Sequence, residues 1–370
     1  MLLAGCVSDP EFQQPEVEEG FDPAKDRFSA KVVPEYAKGF SVEYHNYFKE
    51  VHIHDVESGE VLNTLYLVDR GADAPDSLDV EHVVFVPVEK VTSISTTHLP
   101  MIDKIDRLGT VKGFAAFDYL NNADIRERIN EQGVVDLGSG GAIDEEKLLE
   151  IFPDINFTYY FENEDAGMRK NGVLHVPVGE YLEVHPLAAA EWMKFFALFY
   201  NQEQSANEYF NTIRKLYEIE KKASQGFDTI PDVLVGVSYK DEWYMPGGNS
   251  YSATLIKDAG GDYVLADNPS FENVAMDFET VMDKCLETEF WLIVTYFNGS
   301  PARSGLENMD PRYARFRAFK EGNIYVCDLT RKDYFGEALI EPHVMLRDLR
   351  MAFHKGNEPE TAPVYFENMP

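Results

Sequence analysis

VTSISTTHLPMIDKIDRLGTVKG, residues 91–113, sets a short apolar strand, a helical stretch and a second short strand end to end. Its hydrophobic period switches from two to 3.6 and back, the mark of a β-α-β unit. A strand is expected over 91–95 and a helix over 98–108, and residues 109–113 turn into the next strand. The rhythm continues with helix 121–132 ended by Gly133, strand 134–137, helix 144–152, strand 154–159 and strand 173–178. Such repetition builds a mostly parallel sheet with helices on both faces.

Two long helical stretches come next. One starts at His185-Pro186 and carries Trp192, Phe195, Phe196 and Phe199. Asn201-Gln202 interrupts it, and a second runs from 203 to 223, ended by Gly226. At 1.5 Å per residue it makes a rod of roughly 30 Å. The β-α rhythm then restarts with strand 232–238, helix 250–259, strand 263–266, helix 278–286, strands 291–295 and 323–327, and a final helix 338–353. Upstream, residues 28–88 alternate with period two. Phe40, Val42 and Tyr44, then Val51 and Ile53, suggest one strand; Ser58-Gly59 turns, and 62–68 returns as its hairpin partner. The expected fold is α/β: two Rossmann-like lobes with mostly parallel sheets, bridged by one long α-helix, plus an N-terminal β-hairpin extension. The expected segments are a tether (1–27), an N-terminal lobe with the hairpin (28–200), an inter-lobe helix (201–226) and a C-terminal lobe (227–370).

Composition narrows the function. The 370 residues carry 33 Lys+Arg against 65 Asp+Glu, a net charge of −32, which repels phosphate backbones and makes nucleic acid an unexpected partner. No run of 18 apolar residues occurs, so no membrane-spanning helix is expected. Three cysteines are too few for a disulfide scaffold.

Leu3-Ala4-Gly5-Cys6 matches a bacterial lipobox, an apolar residue and two small ones before the cysteine that is lipidated after cleavage. Only five residues precede Cys6, so the chain is taken to be truncated upstream. Residues 7–24 hold six acids, three prolines and no basic residue, a solvated tether. A diacylated Cys6 would be a stable anchor, placing the protein in the bacterial cell envelope, facing the periplasm or the extracellular side.

Enzyme signatures are missing: there is no G-x-S-x-G, H-E-x-x-H or Walker loop, and no cofactor is expected. Gly138-Ser139-Gly140-Gly141 lacks dinucleotide spacing and reads as a turn. His52 and His54 face the same side of a strand, but no second ligand pair sits nearby in sequence. They read as surface histidines, and no metal site is expected. His98, His185 and His343 each stand near a helix start, where capping or packing is the plainer role, although His98 also ends a strand-to-helix loop.

Aromatics at strand ends are the better signal, because ligands of open α/β sheets bind beyond the carboxyl ends of strands. Phe114, Phe117 and Tyr119 stand there, with Tyr159, Tyr160 and Phe161; Tyr239, Trp243 and Tyr244; and Tyr296 and Phe297. Residues 303–332 hold seven Lys/Arg against four Asp/Glu, a basic window that would attract an anion, unless it only balances its acidic neighbours. The candidate ligand contacts are Thr97, His98, Phe114, Tyr159, Tyr160, Tyr239, Trp243, Tyr244, Phe297, Arg303 and Tyr334.

Taken in order, several motifs over residues 86–354 resemble the periplasmic binding proteins of ABC importers for iron–siderophore, haem and cobalamin. They are Ser95-Thr96-Thr97-His98 followed by Leu108-Gly109-Thr110-Val111-Lys112-Gly113, and Ile143-Asp144-Glu145-Glu146 leading to Phe152-Pro153-Asp154-Ile155. The second half adds Trp243-Tyr244-Met245-Pro246-Gly247-Gly248-Asn249-Ser250-Tyr251, Ala259-Gly260-Gly261-Asp262-Tyr263 and Phe319-Lys320-Glu321-Gly322-Asn323-Ile324-Tyr325. The first 85 residues depart from the pattern.

The resemblance implies a ligand held between two lobes that close little, and delivery to an importer's permease and ATPase complex without covalent chemistry. It also implies one glutamate per lobe that docks transporter arginines. Glu146, seven residues before Pro153, and Glu279, in Phe278-Glu279-Thr280-Val281, match by position. The ligand would be a metal chelate, haem or a corrinoid, and the membrane would be met only through the lipid anchor. Two other readings stay open. An envelope hydrolase or carbohydrate-active enzyme would need two carboxylates about 5 to 10 Å apart. A surface scaffold would need no ligand.

Overall fold

The computed structural model describes residues 15–139, 143–160, 167–227, 229–297, 299, 301–354 and 362–370. The chain forms two compact units: Met1–Leu182 with Glu191–Phe210, and Glu183–Ala190 with Asn211–Pro370.

The first unit begins with a four-stranded sheet: β1 (Phe40–Tyr44), β2 (Phe48–His54), β3 (Val61–Asp69) and β4 (Val83–Val86). Strands β1 to β3 are antiparallel, and β4 lies parallel to β3. The extension is therefore a sheet and not a hairpin. Residues 40–54 make two strands because His45 N–H donates to the Phe48 carbonyl at 2.9 Å, closing a tight turn. Along β2, Lys49, Val51 and Ile53 are buried, while Glu50, His52 and His54 are partly exposed.

Lys49 points inward and is fully buried. Its ammonium pairs with Glu203 and donates to the Leu198 carbonyl at 2.6 Å and Asn201 Oδ1 at 2.8 Å. Burial pushes the Lys49 pKa down, while Glu203 pulls it back up. Buried Glu191 plays the matching part, accepting from Lys194 Nζ at 2.6 Å and from the backbone N–H groups of Glu35, Tyr36 and Ala37. Removing one partner of either buried group would strand an uncompensated charge, so both lock the N-terminal segment to the unit.

The unit's main sheet comprises β5 (Val91–Ser93), β6 (Val111–Phe114), β7 (Val135–Asp136), β8 (Ile155–Tyr159), β9 (Arg169–Lys170) and β10 (Val173–Val178), in the order 7-6-5-8-10-9. All neighbours are parallel except β9 with β10. Helices α1 (His98–Lys104), α2 (Ala123–Glu131) and α3 (Glu145–Ile151) connect the strands. The chain builds outward from β5 through β6 to β7, then crosses to β8, so the topological switch lies between β5 and β8.

Helices α4 (Pro186–Glu191), α5 (Met193–Leu198) and α6 (Glu203–Ser224) follow. Residues through Phe210 of α6 belong to the first unit and those from Asn211 to the second. Residues Glu183–Ala190, expected in the N-terminal lobe, group with the second unit, where the His185 ring lies 6.0 Å from that of Tyr217.

The second unit carries β11 (Asp232–Val235), β12 (Ser238–Tyr239), β13 (Glu242–Pro246), β14 (Asp262–Tyr263), β15 (Asn273–Asp277), β16 (Phe290–Thr295), β17 (Ile324–Asp328) and β18 (Glu367–Asn368). The main sheet runs 14-11-16-17-18, parallel except for β18, with its switch between β11 and β16. Strands β12, β13 and β15 form a separate antiparallel ribbon. Helices α7 (Tyr251–Asp258), α8 (Phe278–Cys285), α9 (Arg303–Met309), α10 (Arg317–Glu321), α11 (Glu337–Ile340) and α12 (Pro342–Phe353) complete the unit. Two differences from the sequence reading have local causes. The strand expected to reach 238 stops at Val235 because Gly236 takes φ +87°, and a Cβ there would lie 3.1 Å from Trp243 Nε1. The single final helix is two, because Pro342 opens the second.

Candidate ligand site

In each unit the switch point puts particular residues beyond the carboxyl ends of neighbouring strands. In the first unit these are Ser95, Thr97 and His98 after β5, Tyr159 and Tyr160 at the end of β8, and Glu180 after β10. Ser95, Thr97, His98 and Glu180, with Ser93 of β5, form one polar cluster. Ser93 Oγ lies 2.9 Å from His98 Nδ1, and Ser95 Oγ lies 2.8 Å from Thr97 Oγ1. The Thr97 hydroxyl donates to Glu180 Oε1, which also stands 3.9 Å from His98 Nε2. Tyr159, half-buried, directs its hydroxyl to the Ile94 carbonyl at 3.5 Å, and its ring meets Tyr181 edge-on at 5.9 Å.

His98 and Glu180 are completely buried. Burial pushes the Glu180 carboxyl up to about 7 and the His98 imidazole down to about 3. Near neutral pH the cluster therefore holds a neutral imidazole beside a carboxyl that is partly protonated. His98 Nε2 and Glu180 Oε2 are buried without a hydrogen-bond partner, an uncompensated cost at the strand ends. Glu180 and Ser93 were not among the expected contacts, and Ser95 entered only as part of the Ser95–His98 motif. The available signal was an acid two residues beyond the wholly apolar end of strand 173–178.

Phe114, expected at this edge, is instead a core residue with no exposed surface, packed against Phe117 with ring centroids 5.1 Å apart. Phe161 and residues 140 and 141 of the glycine turn lie outside the described residues, as does Cys6.

In the second unit Tyr239 and Tyr296 are exposed, and Phe297 is half-buried directly after β16. Trp243 corrects the sequence reading. It is 0% exposed, donates Nε1–H to the Val235 carbonyl at 2.8 Å, and packs among Phe278, Trp291, Tyr313 and Phe316. The alternation of β13 is the reason: Trp243 and Met245 face in, while Tyr244 faces out, 49% exposed, with its hydroxyl on Glu242 Oε2 at 2.5 Å. Tyr334 is half-buried beyond β17, edge-on to Phe335 at 5.2 Å.

Arg303 is a second correction. Its N–H bonds the Pro370 carbonyl, and its guanidinium lies by Gly322, which precedes β17. It therefore stands at the amino edge of the sheet, opposite the strand ends that a ligand would meet. The basic window is also largely spoken for. Arg312 pairs with Asp310, Asp241 and Glu279, Arg317 with Glu321, Arg331 with Asp328, and Lys332 with Glu367. His185 has the plainer role expected of it, its Nδ1 accepting from the Leu187 N–H at 3.1 Å.

Glu146 and Glu279 are exposed on α3 and α8, and Glu279 lies 3.3 Å from Arg312 Nη1. An ion pair this exposed is worth little and can exchange partners.

Comparison with known proteins gives a consistent picture. The family described as periplasmic binding protein matches residues 94–329. An uncharacterized lipoprotein of Methanocaldococcus jannaschii is 28% identical over 285 residues, covering 74% of this chain and 66% of that protein, just under two thirds of its length. A periplasmic haem-binding protein from Pseudomonas aeruginosa superimposes with TM-score 0.59 at 16% identity, over 76% of this chain and 98% of that one. An ABC-type Fe3+-hydroxamate transport protein from Saccharomonospora viridis does so with TM-score 0.55 at 14% identity, over 71% and 93%. At such identities the superpositions speak for the fold alone. Among the described residues no helix is long and apolar enough to cross a membrane.

Proposed function

We propose that this chain, which belongs to the periplasmic binding protein family, is a lipid-anchored carrier that captures an iron–siderophore, haem or cobalamin-type ligand and hands it to an ABC importer. The observation that carries this reading is the cluster at the first switch point. Half-buried Thr97, bonded to the buried Glu180, stands with the aromatic rings of Tyr159 and Tyr181. A polyoxygenated chelate or a macrocycle with carboxyl or amide arms would meet Thr97 and the rings at the half-buried rim of this cluster, while fully buried Glu180 holds the Thr97 hydroxyl from behind. The exposed Tyr239, Tyr244 and Tyr296 supply similar faces in the second unit. The chain performs no covalent step; it binds and releases.

Native mass spectrometry with an absorption spectrum, on protein from its host, tests the reading. A bound ferric chelate, porphyrin or corrinoid is expected, with retention reduced in Thr97→Val. A chain that carries no such mass, and binds none of ferric hydroxamate, haemin and cyanocobalamin in titration, would sink the proposal.

A further inference from the structure

Outside the stretch matched to the family, the N-terminal sheet gathers four metal-ligating side chains on its outer face. In the β1–β2 pair Glu43 lies directly opposite Glu50, and Ser41 opposite His52. His45 follows β1 in the tight turn, and its imidazole stacks on Phe48, with centroids 4.1 Å apart and planes at 11°. One oxygen of Glu50 lies 3.7 Å from His45 Nε2, and the other lies 3.7 Å from His52 Nε2. Ligand atoms of Glu43, His45 and Glu50 all lie within 4.8 Å of one another.

Three features point to a cation. A separation of 3.7 Å is too long for a hydrogen bond, but near the edge of a tetrahedron with metal bonds of about 2.0–2.1 Å, roughly 3.4 Å. Glu43 and Glu50 set two negative charges face to face across an antiparallel pair, which costs stability unless a positive charge joins them. The rings are also aimed. His52 Nδ1 is held by Thr64 Oγ1 at 3.0 Å, leaving Nε2 toward Glu50, the way a neighbour outside the ligand set orients a carboxylate. We propose that Glu43, His45 and Glu50 bind a divalent transition ion of the zinc class, with His52 beside the second oxygen of Glu50 as a positioning neighbour. An imidazole among the donors favours such an ion over calcium or magnesium. His54 shares the face but bonds Ser41 Oγ at 2.7 Å, so it stands apart from the site.

The full chain, stripped with chelator, is titrated with Zn2+ by calorimetry and with Co2+ by visible absorption. One stoichiometric site is expected, with tetrahedral Co2+ bands. Affinity should fall at least about tenfold in His45→Gln, in Glu50→Gln and in Glu43→Gln, and stay unchanged in His54→Gln. Metal-free melting temperatures at or above the parent's show that each variant folds, with a rise expected where Glu43→Gln or Glu50→Gln relieves the repulsion, so the three substitutions read the site independently. Absence of stoichiometric Zn2+ binding overturns the proposal, as does binding that survives His45→Gln with Glu50→Gln. Equal weakening by His54→Gln would mean diffuse surface charge in place of a site.

Discussion

Glu146 and Glu279 occupy the same position in their helices, each the second residue after an aspartate N-cap. Asp144 accepts from the Lys147 N–H at 3.2 Å, and Asp277 from the Thr280 N–H at 2.7 Å. Each helix runs into a strand inside its unit's parallel sheet, α3 into β8 and α8 into β16. A carboxylate in the first turn of a helix is favoured by the dipole, and the cap holds that turn in place. Each unit thus presents an exposed carboxylate, Glu146 or Glu279, on a fixed support.

We propose that these two carboxylates dock arginines of the transporter. Glu146→Lys with Glu279→Lys turns two attractions into repulsions that can cost several kcal/mol. Uptake in cells should fall sharply, each single reversal should fall between, and ligand affinity measured by calorimetry should not move. Uptake that survives the double reversal would remove the docking role.

Glu180 should give stability a pH dependence of known sign. Its folded pKa of about 7 lies above the ordinary glutamate value, so the stability it contributes is present at low pH and lost as pH rises through about 7. Depressed His98 works oppositely, adding stability as pH rises from about 3 to its ordinary value. Comparison with Glu180→Gln isolates the glutamate. The variant should gain on the parent from about pH 4.5 to 7, by a total on the order of 3 kcal/mol, and then hold level. Denaturant melts across that range check it; a flat difference would mean that the carboxyl is not held neutral.

Trp243→Ala should cost about 3–5 kcal/mol, because it empties a core site and leaves the Val235 carbonyl unpaired. Tyr244→Ala, at the next position on the opposite face, should change stability by less than about 0.5 kcal/mol. If Tyr244 meets ligand, its loss appears in affinity instead. Parallel urea titrations of the two variants separate core from surface, and equal midpoints would contradict the placement of Trp243.

The N-terminal anchor is tested through Cys6. Lipid at this residue should carry the protein into the membrane fraction, and Cys6→Ser should release it, since acyl chains of this kind hold by burying CH2 groups. Unchanged fractionation would mean that the attachment lies elsewhere or does not exist.

The alternation of strand and helix from Val91 onward, the long helix near residue 203 and the aspartate-led helices were all legible in the chain. Each rests on local periodicity or a cap, which neighbours in sequence encode. Partners far apart in sequence were not. Whether Trp243 or Tyr244 faces the core depends on which side of β13 the sheet covers, a choice of register that alternation leaves open. Glu180 acquires its raised pKa only when the fold buries it beyond β10, against the opposing pull of the Thr97 hydroxyl, 83 positions away. Arg303, basic and in a loop, looked available until chain reversal after β16 set it against the amino edge. Glu50 meets Glu43 and His45 because a three-residue turn folds β1 onto β2, while His52 stands two positions along the same strand face. Local periodicity determined the elements; burial, register and strand order decided which side chains meet, because those depend on contacts that exist only once the chain has closed on itself.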